Sequence, residues 1–312
     1  MAKILIADGK DLKITIEWSA LDQILTDKLT ALGHAVTLEN FGHEELKKQI
    51  CNFEIIVVGD TTVIDKEIID AATNLKMIIK AGIWLQNIDV AYAEAKGIIV
   101  KNTPECSRNA ISELIIGHII SISRFFFQTF ISMKNNEWKH DSYTGIEMKN
   151  RTLGLVGLDD TAKMVAKKAQ ALGVTVRYWD EKGKDEKSEL EYVAFDELLA
   201  NSTYLSLHVP YNESKGSIMN KEQLFKMEKG ANIINCYDGR LINEDALLEA
   251  LGASMSELHL FGACLDVFAQ EPTTNKKLMA HDRVSVTPHI CHETYEANTQ
   301  RIDEIVDLIQ RG

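Results

Sequence analysis

The chain has 312 residues, 45% of them hydrophobic and 26% charged, ordinary proportions for a globular protein of about two domains. With 46 acidic residues against 34 basic ones the formal net charge is -12. A surface that acidic repels phosphate backbones and anionic lipid, which argues against nucleic-acid and membrane partners. Residues 1–9 lack the charged n-region, long apolar core and cleavage site of a signal peptide. The five cysteines are odd in number and form no CxxC pair, so they read as free thiols of a cytoplasmic protein.

In chain order, the β-branched runs 3–7, 55–58, 77–80 and 98–101 read as buried strands, with helical patterns such as 21–32 and 90–95 between them. Asn102-Thr103-Pro104 then precedes one long helix over 109–133. Its apolar stretch 114–133 is interrupted by His118, Arg124 and Gln128, which suits a buried helix better than a membrane span. A second series of strands follows at 153–157, 174–179, 204–207, 232–236, 261–266 and 284–286. The Lys- and Glu-rich run 181–191 reads as a solvated loop. Continuous apolar strands alternating with helices predict an α/β protein with parallel sheets covered on both faces. Two such series predict two doubly wound, Rossmann-like domains. The four prolines all sit at turns, and in parallel sheets the loops at the carboxyl ends of strands are where ligands bind.

The motifs along both series resemble the D-isomer-specific 2-hydroxyacid dehydrogenases. The resemblance rests on Asn87-Ile88-Asp89, Asn102-Thr103-Pro104 with Glu113-Leu114, and Thr152-Leu153-Gly154-Leu155-Val156-Gly157. It continues through Ser206-Leu207-His208-Val209-Pro210, Ile234-Asn235, Glu244-Asp245-Ala246-Leu247, Asp266-Val267-Phe268, Glu271-Pro272 and Thr287-Pro288-His289-Ile290. It implies a discontinuous substrate domain, 1–101 with 288–312, and a dinucleotide-binding domain, 102–287, with a cleft between them. It also implies NAD as cofactor, a small 2-hydroxy or 2-keto acid as substrate, and a homodimer.

A dinucleotide turn wants the pattern G-x-G-x-x-G. Here the segment reads Gly157-Leu158-Asp159-Asp160-Thr161-Ala162. Gly157 supplies the turn and Ala162 is tolerated at the third position. Asp159 stands where the second glycine admits the pyrophosphate. A carboxylate at a helix N-terminus caps it and takes the place of a bound phosphate. Two charges about 4 Å apart repel by about 4 kcal/mol at an effective dielectric near 20, about three orders of magnitude in affinity. Asp180, 23 residues after Gly157, suits the ribose hydroxyls and favours NAD over NADP. His208 matches the family's loop over the cofactor.

By resemblance His289 is the acid/base and Glu271 its partner, because a carboxylate beside imidazole favours the protonated ring. The family's arginine is replaced: aligning Asn235 and Gly239 puts Asp238 at its position. Arginine binds a carboxylate bidentately, whereas aspartate repels it. Arg240, two residues on, is expected to point elsewhere. Trp84 and Leu85 fall in the segment that meets the substrate, with Trp84 where the family has a small residue. His289, His292, Asp238 and Cys291 have a poor pattern for a metal, so no metal is expected. Three readings stay open: a 2-hydroxyacid dehydrogenase of impaired activity, a catalytically silent binding or assembly protein, and an enzyme whose neutral or cationic substrate is recognised by Asp238.

Overall fold

The computed structural model describes residues 1–7, 18–59, 61–254 and 256–312. The chain divides into two compact units, Met1–Ser107 with Glu293–Gly312, and Arg108–His292. The changeovers fall a few residues later than the sequence boundaries of 101 and 288. The second shift has a visible cause. The chain leaving the last strand stays bound to the larger unit as far as Cys291, whose backbone N–H reaches Asp266 at 2.9 Å. The last helix starts only at Thr294, which caps it through Ala297 N–H.

In the first unit β1 (Lys3–Ile6), β2 (Ala35–Leu38), β3 (Ile55–Val58), β4 (Met77–Lys80) and β5 (Ile99–Asn102) form a parallel sheet in the order β2-β1-β3-β4-β5. Alternate residues of β1 serve opposite faces, as a strand's twofold period requires. Ile4 and Ile6 pack with Leu25 and Leu29 of α1 (Trp18–Ala31) and with Ile302 and Ile305 of α12 (Tyr295–Arg311). Leu5 joins Ile56, Ile68, Ile78 and Ala93, under α2 (His43–Gln49), α3 (Lys66–Ala71) and α4 (Val90–Ala95). Strand β2 was missed in the sequence because it is an edge strand, with only exposed and half-buried positions, and lacks the continuous apolar run.

The second unit begins with α5 (Arg108–Arg124) and α6 (Phe126–Lys134). The single helix expected over 109–133 is broken: the two segments are bent by 64° at Phe125, which takes a left-handed φ of 56°. The Phe125 ring lodges against Tyr143 and Phe261, with centroids 5.8 and 5.5 Å away. Burial does not extend along the whole length either. α5 is buried on one face, but Phe126, Phe130, Ile131 and Met133 of α6 are exposed. No single helix among the described residues is long and apolar enough to cross a membrane, although the bent pair passes on length and composition together.

Next come β6 (Thr152–Val156), α7 (Asp160–Ala171), β7 (Thr175–Trp179), β8 (Glu191–Tyr192), α8 (Phe195–Ala200) and β9 (Tyr204–Leu207). They are followed by α9 (Lys221–Lys226), β10 (Asn232–Asn235), α10 (Glu244–Leu251), β11 (Gly262–Leu265), α11 (Lys276–Met279) and β12 (Val284–Val286). The short β8 lies at the end of the run read as loop. All seven strands are parallel, in the order β12-β11-β10-β9-β6-β7-β8. The order reverses between β6 and β9, and ligands of open α/β sheets bind at such a switch point. The core runs from Val156 and Leu205 through Ile233 and Ala263 to Val284.

Candidate active site

His289 and Glu271 are brought together: Nδ1 of the imidazole lies 2.6 Å from Glu271 Oε2. The other carboxylate oxygen accepts Phe268 N–H at 2.9 Å, so the acid is fixed at both ends. His289 has a φ of 54°, a left-handed conformation that a side chain with a Cβ rarely adopts. Asp266, which emerges from β11 and is fully buried, holds it there. Its carboxylate accepts Thr287 Oγ1 at 2.5 Å, Ile290 N–H at 2.9 Å and Cys291 N–H at 2.9 Å. Its carbonyl accepts His289 N–H at 2.8 Å. Asp266 thus spans the loop on both sides of the imidazole. Its role was not legible beyond its motif, although a carboxylate ending an apolar strand is the signal that could have found it.

Asp238 does not project a naked charge. Arg240 folds back onto it, with Nε 3.0 Å from Oδ1 and Nη2 2.7 Å from Oδ2. This corrects the expectation that Arg240 points away. Asp238 Oδ1 also accepts Arg240 N–H at 2.9 Å, capping a short 3-10 turn, and this capping draws the two side chains together. The guanidinium lies 4.3 Å above the Tyr211 ring. The hydrogen bonds and charge of Asp238 push the Arg240 pKa still higher. This turn abuts the loop of the acid–base pair. A Cβ on Gly239 would come within 1.9 Å of the Phe268 backbone, and only glycine permits that approach.

At the switch point Gly157 has a φ of 97°, and a Cβ there would lie 2.4 Å from His208 O. The turn therefore requires glycine. Asp180 Oδ2 accepts Leu158 N–H and Oδ1 accepts Lys182 N–H, both at 2.9 Å, which fixes the carboxylate beside the turn. Asp159 caps α7 by accepting Ala162 N–H at 2.7 Å. His208 is 2% exposed and holds Ser206 Oγ at 2.9 Å through Nε2. Its Nδ1 sits 3.8 Å from Asp159 Oδ1. Burial pushes its pKa down, and Asp159 offsets this in part. The Tyr237 ring stands edge-on to His208, with centroids 6.3 Å apart. Burial first, then Asp159, Asp238 and Asp180, push the Tyr237 phenol upward. Tyr237 was overlooked in the sequence, since nothing local shows that β10's exit leans toward the β6 turn.

In the first unit Trp84 and Leu85 lie half-buried beyond β4. Leu85 packs on that unit's core. Asn102 Nδ2 donates to Ile83 O at 2.7 Å and Thr103 N–H to Gly82 O at 3.1 Å, so the end of β5 braces this loop. Asn87 Nδ2 bonds Gly59 O and Thr62 O at 2.9 and 2.6 Å. Among the described residues no group of three or more His, Cys, Asp or Glu side chains is placed to hold a metal ion.

A doubly wound sheet, a glycine turn at its switch point and an imidazole–carboxylate pair on neighbouring strand ends define a Rossmann-type oxidoreductase. Residues 116–291 match the model of the NAD-binding domain of D-isomer specific 2-hydroxyacid dehydrogenases. The chain is similar to a hydroxypyruvate reductase of Thermotoga maritima, 38% identical over 277 residues that cover 88% of this chain and 89% of that one. It is 33% identical to a D-3-phosphoglycerate dehydrogenase of Bacillus subtilis over 88% of its own length, but spans only 53% of that longer protein. A glyoxylate reductase structure from Paecilomyes thermophila superposes with a TM-score of 0.82 at 27% identity, covering 99% of this chain and 95% of that one. The chain therefore belongs to the D-isomer specific 2-hydroxyacid dehydrogenase family, whose cofactor is NAD. The residues present fit one end of that cofactor. Gly157 and Asp180 suit the turn and the ribose hydroxyls. The diphosphate position fits poorly, because Asp159 already caps the helix where a phosphate would bind.

Proposed function

We propose that this chain is a 2-hydroxyacid-dehydrogenase-like oxidoreductase with an intact proton-transfer pair and altered anion contacts, so that ordinary 2-keto acids are poor substrates. The 2.6 Å contact between His289 and Glu271 supports this reading most directly. Glu271 engages Nδ1, and on this reading the His289 ring gives a proton to a ketone oxygen or takes one from a hydroxyl. The carboxylate stabilises the imidazolium between turnovers. Bound NAD supplies the hydride chemistry in this family. On the chain's side, Asp180 holds a ribose-like diol and His208 walls the turn. The substrate class follows from the names of the similar proteins, hydroxypyruvate reductase and glyoxylate reductase. By the family resemblance the protein is a homodimer, and five free thiols suit a reducing cytoplasm.

The test is NADH oxidation by the purified chain with glyoxylate and hydroxypyruvate. Slow turnover that needs high substrate and disappears in His289→Ala supports the proposal. Fast turnover at low substrate contradicts the impairment. No turnover with either acid favours the second reading, a silent binding or assembly protein, for which the capped Asp159 is the supporting observation. The third reading, Asp238 as receptor for a cationic substrate, is weakened by the guanidinium that already occupies it.

A further inference from the structure

Arg240 has a second edge. A guanidinium carries five N–H groups, and a side-on fork uses Nε–H and one Nη2–H. Asp238 takes that fork. The remaining Nη1–H and Nη2–H form an end-on fork of the same spacing, which matches another carboxylate. Nη1 has no hydrogen bond to another described residue, and the side chain is 36% exposed against 13% for Asp238.

The arginine is also held in place. Asp238 is anchored as the cap of its turn, and its carbonyl accepts Asn235 Nδ2 at 2.8 Å and Leu241 N–H at 3.1 Å. The Arg240 carbonyl accepts Ser217 Oγ at 2.8 Å. Tyr211 supports the face of the guanidinium. The backbone between Asp238 and Arg240 lies against Phe268, whose N–H binds Glu271. On the other side Cys236 O accepts the Cys291 thiol at 3.8 Å, two residues past His289. The Arg240 turn is thus wedged between the two segments that carry the acid–base pair. Glu213, on the loop of Tyr211, is the other acid close enough to act on this charge.

We infer that Arg240 is the carboxylate-recognition residue of this chain, positioned by Asp238 and Tyr211 so that its end-on edge meets a small 2-keto or 2-hydroxy acid. This rests on the reading of the chain as a 2-hydroxyacid-dehydrogenase-like oxidoreductase. The Asp238–Arg240 unit is neutral overall, so it binds an anion more weakly than an equally well-held arginine with no carboxylate beside it. That is the sense in which such acids are poor substrates.

The experiment is calorimetric titration of oxalate, a nonreacting dicarboxylate, into the full chain at constant ionic strength. Wild type is compared with Arg240→Ala, Arg240→Lys and Asp238→Ala, with melting curves to confirm folding. Both Arg240 variants should lose about tenfold or more in affinity. Lysine keeps the charge and the fold but has no second fork. Asp238→Ala should lose at least about threefold, although it removes a negative charge, because the guanidinium is no longer held. Absence of oxalate binding by wild type, or affinity unchanged from wild type in both Arg240 variants, overturns the inference. Tighter binding by Asp238→Ala overturns the positioning role, since Asp238 would then be a competitor. NADH oxidation with glyoxylate separates this from the functional reading. Oxalate binding that depends on Arg240 without any turnover keeps the carboxylate site and removes the dehydrogenase. Turnover whose KM is the same in Arg240→Lys keeps the dehydrogenase and removes Arg240.

Discussion

Glu271 faces His289 Nδ1 at 2.6 Å with one oxygen and receives Phe268 N–H at 2.9 Å with the other. The backbone bond keeps the carboxylate aimed at the ring. Glu271→Gln preserves both contacts in shape but removes the charge that stabilises an imidazolium. Any 2-keto acid reduction should therefore fall by about 10²–10⁴-fold in kcat in Glu271→Gln and in His289→Ala, with melting temperatures close to wild type. Steady-state kinetics of the purified variants decide this. Undiminished kcat in either would remove the pair from the chemistry.

A second expectation concerns the cofactor turn. Asp159 occupies the N-terminus of α7 and accepts Ala162 N–H. A ligand at 100 times its dissociation constant stabilises the fold by about 2.7 kcal/mol, which a melting curve resolves. Micromolar NADH should leave the wild-type melting temperature unmoved, and Asp159→Gly should gain a shift. A clear wild-type shift would show that the turn accepts a diphosphate beside the carboxylate.

Much of this fold was readable because the parallel strands are buried on both faces, and runs such as Ile55–Val58 or Asn232–Asn235 show it directly. Strand β2 was not readable, because edge position rather than apolarity makes it a strand. The helix break at Phe125 was hidden as well, since its cause lies in Tyr143 and Phe261, far away in sequence. At the site, residue types at motif positions pointed to His289, Glu271 and Asp159. Partners set by the fold remained hidden. Arg240 turning onto Asp238 depends on a capped 3-10 turn, and the grip of Asp266 on the His289 loop joins residues 21 to 25 positions apart.

The buried histidines set a pH dependence of stability. His118 and His208 are each 2% exposed, and burial pushes both below the ordinary histidine range, partly offset by Asp266 and Asp159 respectively. Above about pH 6.5 neither state is protonated and the contribution is fully present. As pH falls below that value the unfolded chain takes up protons that the folded one refuses. Stability then drops by up to about 1.4 kcal/mol per pH unit for each histidine until the lowered folded pKa is reached. Urea unfolding at about pH 7.5 and about pH 5.5 should show this loss, and His118→Leu should make it smaller. The same pH slope in wild type and variant would rule out His118 as a source.

If the proposed homodimer forms, the exposed apolar side chains of α6 are the surface it is expected to cover. Phe130 is 62% exposed and Trp138, beyond the helix, 82%, with Phe126, Ile131 and Met133 also uncovered. Large apolar side chains left this exposed are candidates for an association site. Sedimentation should give a dimer at micromolar protein, and Phe130→Glu with Trp138→Glu should shift it toward monomer. A monomeric wild type would remove the proposal.

Asp238→Arg alone should not restore ordinary 2-keto acid reduction, even though it puts the family's residue back. The new guanidinium would stand two residues from Arg240, which would have lost the carboxylate that forks its Nε and Nη2. Two like charges would then share one turn. Asp159 would still fill the end of α7, and Trp84 would still occupy the loop beyond β4, braced by Asn102. The informative variant therefore combines Trp84→Gly, Asp159→Gly and Asp238→Arg. With His289 and Glu271 untouched, it should oxidise NADH with glyoxylate or hydroxypyruvate faster than wild type, and adding His289→Ala should abolish the gain. The Asp159 and Asp238 changes meet around Tyr237, whose phenol feels both charges, so their effects need not add. Rapid turnover by the unmodified protein would refute the view that these three residues are disabling. A folded triple variant that binds NADH yet stays inactive would place the obstacle elsewhere, with Tyr237 beside His208 as the next residue to reduce.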